Sequence, residues 1–152
     1  MSDDRFRALL QELFRRFGLL AEDRTPCGKP LASSDAHALM ILLDAGPAGM
    51  APSALATRLG VDKSTATRLA ARLAERGYTE SEASASDARL RPIHLTRKGR
   101  RVADDVAQAS RQRFADLLAH VPAARRAAVL DGLTELVAAL TRMTPEAGQE
   151  EP

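Results

Sequence analysis

Apolar residues recur at steps of three and four near the start of the chain, at Phe6, Leu9, Leu10, Leu13, Phe14 and Phe17. That spacing predicts an amphipathic helix from residue 3 to about residue 22. Two prolines and a glycine in Thr25-Pro26-Cys27-Gly28-Lys29-Pro30 then predict a loop. The helical pattern resumes with Ala36, Leu39, Met40 and Leu43, a second helix expected to be capped by Ser33 or Ser34 and closed by Gly46-Pro47-Ala48-Gly49. A third helix is expected to start near Pro52, since proline is tolerated at a first helical position, and to run through Leu55 and Leu59 to Gly60. Asp62 or Ser64 is the expected cap of a fourth helix that carries Leu69 and Leu73 inward and stops at Gly77.

Beyond Gly77 the periodicity changes. Tyr78-Thr79-Glu80-Ser81-Glu82 and Arg91-Pro92-Ile93-His94-Leu95 are short extended candidates joined by a small, polar, charged linker, which predicts a hairpin. Pro92 cannot donate to a ladder, so it belongs on an edge or at a strand start. Thr96 should cap a helix of roughly 25 residues through Val102, Val106, Phe114, Leu117 and Leu118 to about Val121. Pro122 restarts the chain as a last helix with Val129, Leu133, Leu136, Val137 and Leu140 on one face, and residues from about Thr144 are expected to fray.

Composition sharpens the class. Aromatic residues are 3% of the chain, so the core must be built from Leu, Val and Ala, which favours helix against helix. The net charge is +2, but it is unevenly spread: Arg58 to Arg101 hold eleven Lys or Arg against five Asp or Glu, while the rest is net acidic. A basic middle between acidic ends fits a polyanionic partner at the middle, and fits a solvated helical face equally well. The lone cysteine, Cys27, excludes an intrachain disulfide framework. No signal peptide and no apolar run near 18 residues is present, so a cytosolic (cytoplasmic) protein is expected. No Gly-rich phosphate loop, paired-carboxylate setting or dense His/Cys cluster is found, which argues against an enzyme; no cofactor is expected.

The chemistry concentrates where the third and fourth helices meet across Gly60-Val61-Asp62, a helix-turn-helix plan. The fourth helix opens Lys63-Ser64-Thr65-Ala66-Thr67-Arg68. Small hydroxyls and helix-start amides can bind phosphate, and an Arg can form a bidentate pair with guanine in the major groove. With Leu69 and Leu73 inward, Lys63, Ser64, Thr65, Thr67, Arg68 and Arg72 are the expected DNA-facing residues. In the hairpin, Arg89 at the loop end can enter a narrow minor groove, where Asp87 can fix its aim through a charge-assisted pair.

These runs, Asp62 to Leu69, Leu73-Ala74-Glu75-Arg76-Gly77-Tyr78, Asp87-Ala88-Arg89 and Leu95-Thr96-Arg97-Lys98-Gly99, together resemble the MarR family of winged helix-turn-helix transcription regulators. In that pattern a recognition helix precedes a "DxR" wing and an "LTxxG" entry to a long dimer helix. The resemblance is clear over residues 33 to 106 and follows the helix order of the whole chain. It implies a mostly α fold with a small β-hairpin wing: a single domain over 1–152, its winged lobe at about 33–98 on dimerisation helices at about 3–22 and 97–142. It implies a homodimer on a pseudo-palindromic double-stranded DNA operator, usually a repressor released by a small molecule or by cysteine oxidation. Two features depart from the pattern: the recognition helix carries Ala66, Ala70 and Ala71, and Arg91-Pro92 sits in the returning strand. A constitutive or architectural DNA-binding protein with no effector is the alternative.

Dimerisation is also expected from packing, because the first helix and the last two carry apolar stripes that one small lobe could not cover. The switch is more open. Cys27 and His37 are effector or redox candidates: a loop thiol and a packing histidine in the plain reading, or a sensor thiol beside Arg24 and Lys29. A metal site of Cys27 and His37 with Glu22, Asp104 or His120 is a third reading. Arg15 and Arg16 could meet an acid group or be plain surface cations, and His94 and His120 read as strand and helix-end residues.

Overall fold

The computed structural model describes residues 2–19, 23–81 and 91–143. The chain forms two compact units, Met1–Ser110 and Arg111–Pro152. Element order is α1 (Ser2–Phe17), α2 (Ser33–Ala45), α3 (Pro52–Leu59), α4 (Lys63–Glu75), β1 (Thr79–Ser81), β2 (Ile93–Leu95), α5 (Arg97–Ala119) and α6 (Arg126–Met143), with single 3-10 turns at Gly46–Ala48 and Ala123–Arg125. The mostly α architecture with a small antiparallel hairpin is as the sequence predicts.

In the first unit α2 is the central helix. Asp35, Ala36, Ala38, Leu39, Ile41 and Leu42 are all buried, more of its circumference than the expected stripe of Ala36, Leu39, Met40 and Leu43. A helix buried nearly all round must sit inside its neighbours. It is packed by Leu55 of α3, Leu69 and Leu73 of α4, Ile93 of β2, and Ala103 and Val106 of α5. Neither Ser33 nor Ser34 caps it: both lie inside the first turn, and the cap residue is Ala32, which makes no side-chain cap hydrogen bond. Helix α1 ends at Phe17, not near residue 22, because Gly18 turns left-handed at φ +81° and lets the Leu19 N–H return to the Phe14 carbonyl at 3.1 Å.

The hairpin pairs Thr79 with Leu95, Glu80 with His94 and Ser81 with Ile93, shorter than the segments expected from sequence. Ile93 also exchanges both backbone hydrogen bonds with Met50, at 2.8 and 3.0 Å, so β2 is flanked on both sides near its start. Pro92 therefore falls just before the ladder, where its missing N–H costs nothing.

The Leu95-Thr96-Arg97-Lys98-Gly99 run proves to be a junction. Thr96 Oγ1 donates to the Gly77 carbonyl at 2.7 Å and accepts from the Gly99 N–H at 3.0 Å, so one hydroxyl ties the turn after α4 to the start of α5. Lys98 Nζ donates to the Arg76 carbonyl at 2.6 Å and lies 4.9 Å from the centre of the Tyr78 ring. Gly99 packs so closely that a Cβ there would fall 1.8 Å from the Tyr78 carbonyl oxygen.

In the second unit, Arg126 donates from Nε to the Val121 carbonyl and from Nη2 to the Ala119 carbonyl, at 3.0 and 3.2 Å, closing the C-terminal end of α5. Helix α6 has no buried residue: Leu130, Leu133 and Val137 are 51%, 48% and 63% exposed. The same holds on α1, where Phe6, Leu9 and Leu13 are exposed. No described helix is long and apolar enough to cross a membrane.

Candidate nucleic-acid interface

Helix α3 stops at Gly60, whose left-handed φ of +66° lets its N–H close on the Ala56 and Thr57 carbonyls. Two residues later Asp62 caps α4. Leu69 and Leu73 then fix the rotation of α4 by burying one side, with Ala66 on the same side. Lys63, Ser64, Thr67, Arg68, Ala71 and Ala74 are exposed on the other.

Most hydroxyls on that outer side are already in use. The Asp62 carboxylate accepts from Ser64 Oγ, from the Thr65 N–H at 2.8 Å and from Thr65 Oγ1 at 2.7 Å. Those bonds, the Ser64 hydroxyl first among them, hold the Asp62 carboxyl well below the usual carboxylate range. Thr67 Oγ1 donates to the Lys63 carbonyl at 2.8 Å. A hydroxyl carries one proton, so Ser64, Thr65 and Thr67 spend theirs within the helix start and keep only acceptor capacity outward. The hydroxyls expected from the sequence to donate to phosphate therefore have no proton left to offer outward. Arg68 donates from Nη2 to Thr65 Oγ1 at 3.3 Å, leaving the rest of its guanidinium fork unengaged by any described group.

Arg72 is placed differently from its neighbours. Its Nε lies 3.0 and 3.3 Å from the two oxygens of Asp35, and its Nη2 donates to the same carboxylate. Arg76 Nη1 reaches the other side of Asp35 at 3.5 Å. Asp35 is fully buried, and its hydrogen bonds hold the Arg72 guanidinium above its ordinary value. Arg72 therefore ties α4 to α2, with part of its side chain still exposed at the surface. Sequence reasoning missed Asp35; its only signal was a carboxylate in an otherwise apolar helix.

Between α4 and the hairpin runs an open groove lined by Lys63, Thr67, Ala70, Ala71, Ala74 and Glu80. The alanines leave its floor flat. On the opposite side of α4, an open cleft of about 530 Å³ against α2 is lined by Ser33, Ser34, His37, Thr65, Arg68 and Arg72. Asp87 and Arg89 lie outside the described residues, as does Glu22.

The other candidates are dispersed. Cys27 is half-buried in a turn closed by the Gly28 N–H on the Thr25 carbonyl, with its Sγ 3.1 Å from Thr25 Oγ1. His37 is exposed on the cleft. Among the described residues no three His, Cys, Asp or Glu side chains are grouped to hold a metal ion, so Cys27 and His37 gain no third ligand there. Arg15 and Arg16 both pair with Glu12 on their own helix. His94 places Nδ1 3.2 Å from the Pro47 carbonyl, and His120 places its Nδ1 on the Asp116 carbonyl at 2.7 Å.

A capped helix after a Gly turn, set against a hairpin with a cationic outer face, is the winged helix-turn-helix arrangement. The MarR family model matches residues 30–90. The likeness of fold extends beyond the matched residues. A probable transcriptional regulator from Pseudomonas aeruginosa superposes with a TM-score of 0.69 at 23% identity, covering 90% of this chain and 99% of that one. The Staphylococcus aureus MepR–DNA complex gives 0.69 at 16% identity, over 91% and 98% of the two chains. Bordetella bronchiseptica BpsR, whose DNA binding is regulated by 6-hydroxynicotinic acid, gives 0.65 at 18% identity, over 90% and 93%. No curated protein sequence matches the chain. The matched residues take in α2, α3, α4 and β1.

Proposed function

We propose that the chain is a DNA-binding transcription repressor that works as a homodimer in the cytoplasm, on a pseudo-palindromic operator, and lets go when a small anionic molecule binds. The observation that carries the reading is the outer face of α4, where Lys63 and Arg68 stand clear of the core, Lys63 toward the hairpin and Arg68 toward the cleft against α2. Cations at the start of a recognition helix supply both phosphate contacts and a guanine-reading fork. The flat alanine floor behind them lets the helix seat deeply, with few side chains to exclude particular bases.

Dimerisation is supported by the apolar side chains that α1 and α6 leave exposed, among them Phe6, Leu9, Leu130, Leu133 and Val137. Apolar stripes of that extent on separate helices mark an interface rather than a solvated surface. A second copy would cover them and repeat the reading helix at the spacing a palindrome needs. The released state is supported by the cleft beside α4, where Arg68, Arg72 and His37 offer positive or protonatable groups to an acid. A ligand seated there would compete with DNA for Arg68.

The test is selection from a randomised duplex pool with the full chain. The expected result is one enriched inverted repeat, its half-sites about one helical turn apart. Affinity for it should fall by about 10³-fold or more between 50 and 200 mM salt. Recovery of no preferred sequence, or binding indifferent to salt, would exclude the regulator.

A further inference from the structure

Asp62, Thr65 and Arg68 form a single hydrogen-bonded line along the start of α4. Thr65 Oγ1 donates to Asp62 Oδ2 at 2.7 Å and accepts from Arg68 Nη2 at 3.3 Å. We infer that this line is a positioning relay: Asp62 fixes the Thr65 hydroxyl as an acceptor, and Thr65 in turn fixes the guanidinium of Arg68 for base reading. The inference rests on the reading of α4 as a DNA-recognition helix and adds the residues that set its specificity.

The direction of each bond follows from chemistry. A carboxylate can only accept, so the single proton of Thr65 must point at Asp62. The lone pairs of Thr65 then face the other way, toward a guanidinium that can only donate. Reversing the polarity anywhere breaks the line. The Ser64 hydroxyl and the Thr65 N–H also bind Asp62, so the carboxylate cannot swing away to take Arg68 for itself. An exposed anion at the nose of a helix approaching phosphates would ordinarily repel them. Here it is turned onto its own helix start, and its hydrogen-bonded link to Arg68 runs through the Thr65 hydroxyl.

Positioning matters because Arg68 is an exposed, rotamer-rich side chain whose loss of freedom on docking opposes binding. One turn on, Ala71 offers no side chain to hold it and Arg72 is committed to Asp35. Thr65 is the described group that does. Because Arg68 donates to Thr65 through a single bond, the remaining N–H groups of the fork stay available for the O6 and N7 acceptors of guanine. Discrimination at one base pair in each half-site should therefore depend on Thr65 and Asp62 although neither reads the base.

The experiment compares selected base preferences of the full-length wild type, Thr65→Val, Thr65→Ser, Asp62→Asn and Arg68→Ala, with thermal unfolding of each. Thr65→Val keeps shape and the capping N–H but removes the hydroxyl. Asp62→Asn keeps a capping oxygen but presents an amide donor to Thr65. Arg68→Ala should erase guanine preference at one position of each half-site. Thr65→Val and Asp62→Asn should weaken preference at that same position by about 5-fold or more, within the range of one bidentate base contact, and leave the other positions unchanged. Thr65→Ser should restore it. A purely structural role for Thr65 would lower affinity for all sequences alike. Wild-type preference in Thr65→Val, or a Thr65→Ser variant no better than Thr65→Val, overturns the relay. Selection that succeeds while Arg68→Ala alters no position also overturns it, and wild-type protein that selects nothing removes the underlying DNA-reading proposal as well.

Discussion

Gly99→Ala is expected to lower the thermal midpoint of the full chain by roughly 10 °C, the largest effect of any single methyl in the lobe. The added carbon would fall 1.8 Å from the Tyr78 carbonyl oxygen, a backbone atom that cannot rotate out of the way. That carbonyl also accepts the Thr96 N–H at 3.0 Å, so moving it loosens the junction of α4, the hairpin and α5 at once. Overpacking of this kind costs about 3 kcal/mol or more. At about 2–4 °C per kcal/mol for a chain of this size, the shift should be plain in a melting curve. A Gly132→Ala control, where a Cβ meets nothing within 4 Å, should leave the midpoint unchanged or raise it slightly. Equal midpoints for the two variants would show that Gly99 is not a close-packing position.

Arg72→Ala should destabilise the fold more than it weakens DNA binding per folded molecule. The substitution strips the fully buried Asp35 of its nearest partner and leaves it Arg76 alone, at 3.5 Å. Removing one member of a buried pair costs about 3–5 kcal/mol, discounted here to about 2–3 because half of Arg72 faces water. The double substitution Asp35→Leu with Arg72→Met replaces the pair by apolar groups and should recover most of the loss, as isosteric replacement of buried ion pairs often does. Denaturant titration of the three variants measures both effects. An Arg72→Ala protein of wild-type stability that no longer bound DNA would return Arg72 to the reading face.

How much of this was legible in the sequence depended on the range of the interaction. Local signals carried through: Pro52 at a helix start, Gly60 at the end of α3, Asp62, one of two candidates, as the cap of α4, and the switch from helical to extended pattern after Gly77. Each is decided within a few residues by backbone sterics or a single hydrogen bond. Longer-range facts were not visible. The Met50–Ile93 bridge joins residues 43 apart, and the Asp35–Arg72 tie spans 37 positions, so neither leaves a periodic trace. Ser33 and Ser34 looked like caps because serine favours caps, yet α2 already begins at Ser33 and its cap position falls on Ala32. Outward placement of Ser64, Thr65 and Thr67 was foreseeable, whereas the use of their protons by Asp62 and Lys63 required coordinates. The family motifs carried further than periodicity did, because Thr96, Lys98 and Gly99 record the junction that the hairpin and α5 share.

If the outer side of α4 meets DNA, a photoreactive probe at Ala71 should crosslink to it. Ala71 is exposed on that side, and its substitution by a photoreactive cysteine adduct in a Cys27→Ser background leaves Arg68 and Lys63 intact. The expected result is a covalent adduct to the selected duplex, mapping to bases inside a half-site, and none from the same probe placed at the exposed Ala124. Binding that persists with no adduct at Ala71 would place the DNA on another face of the protein and contradict it.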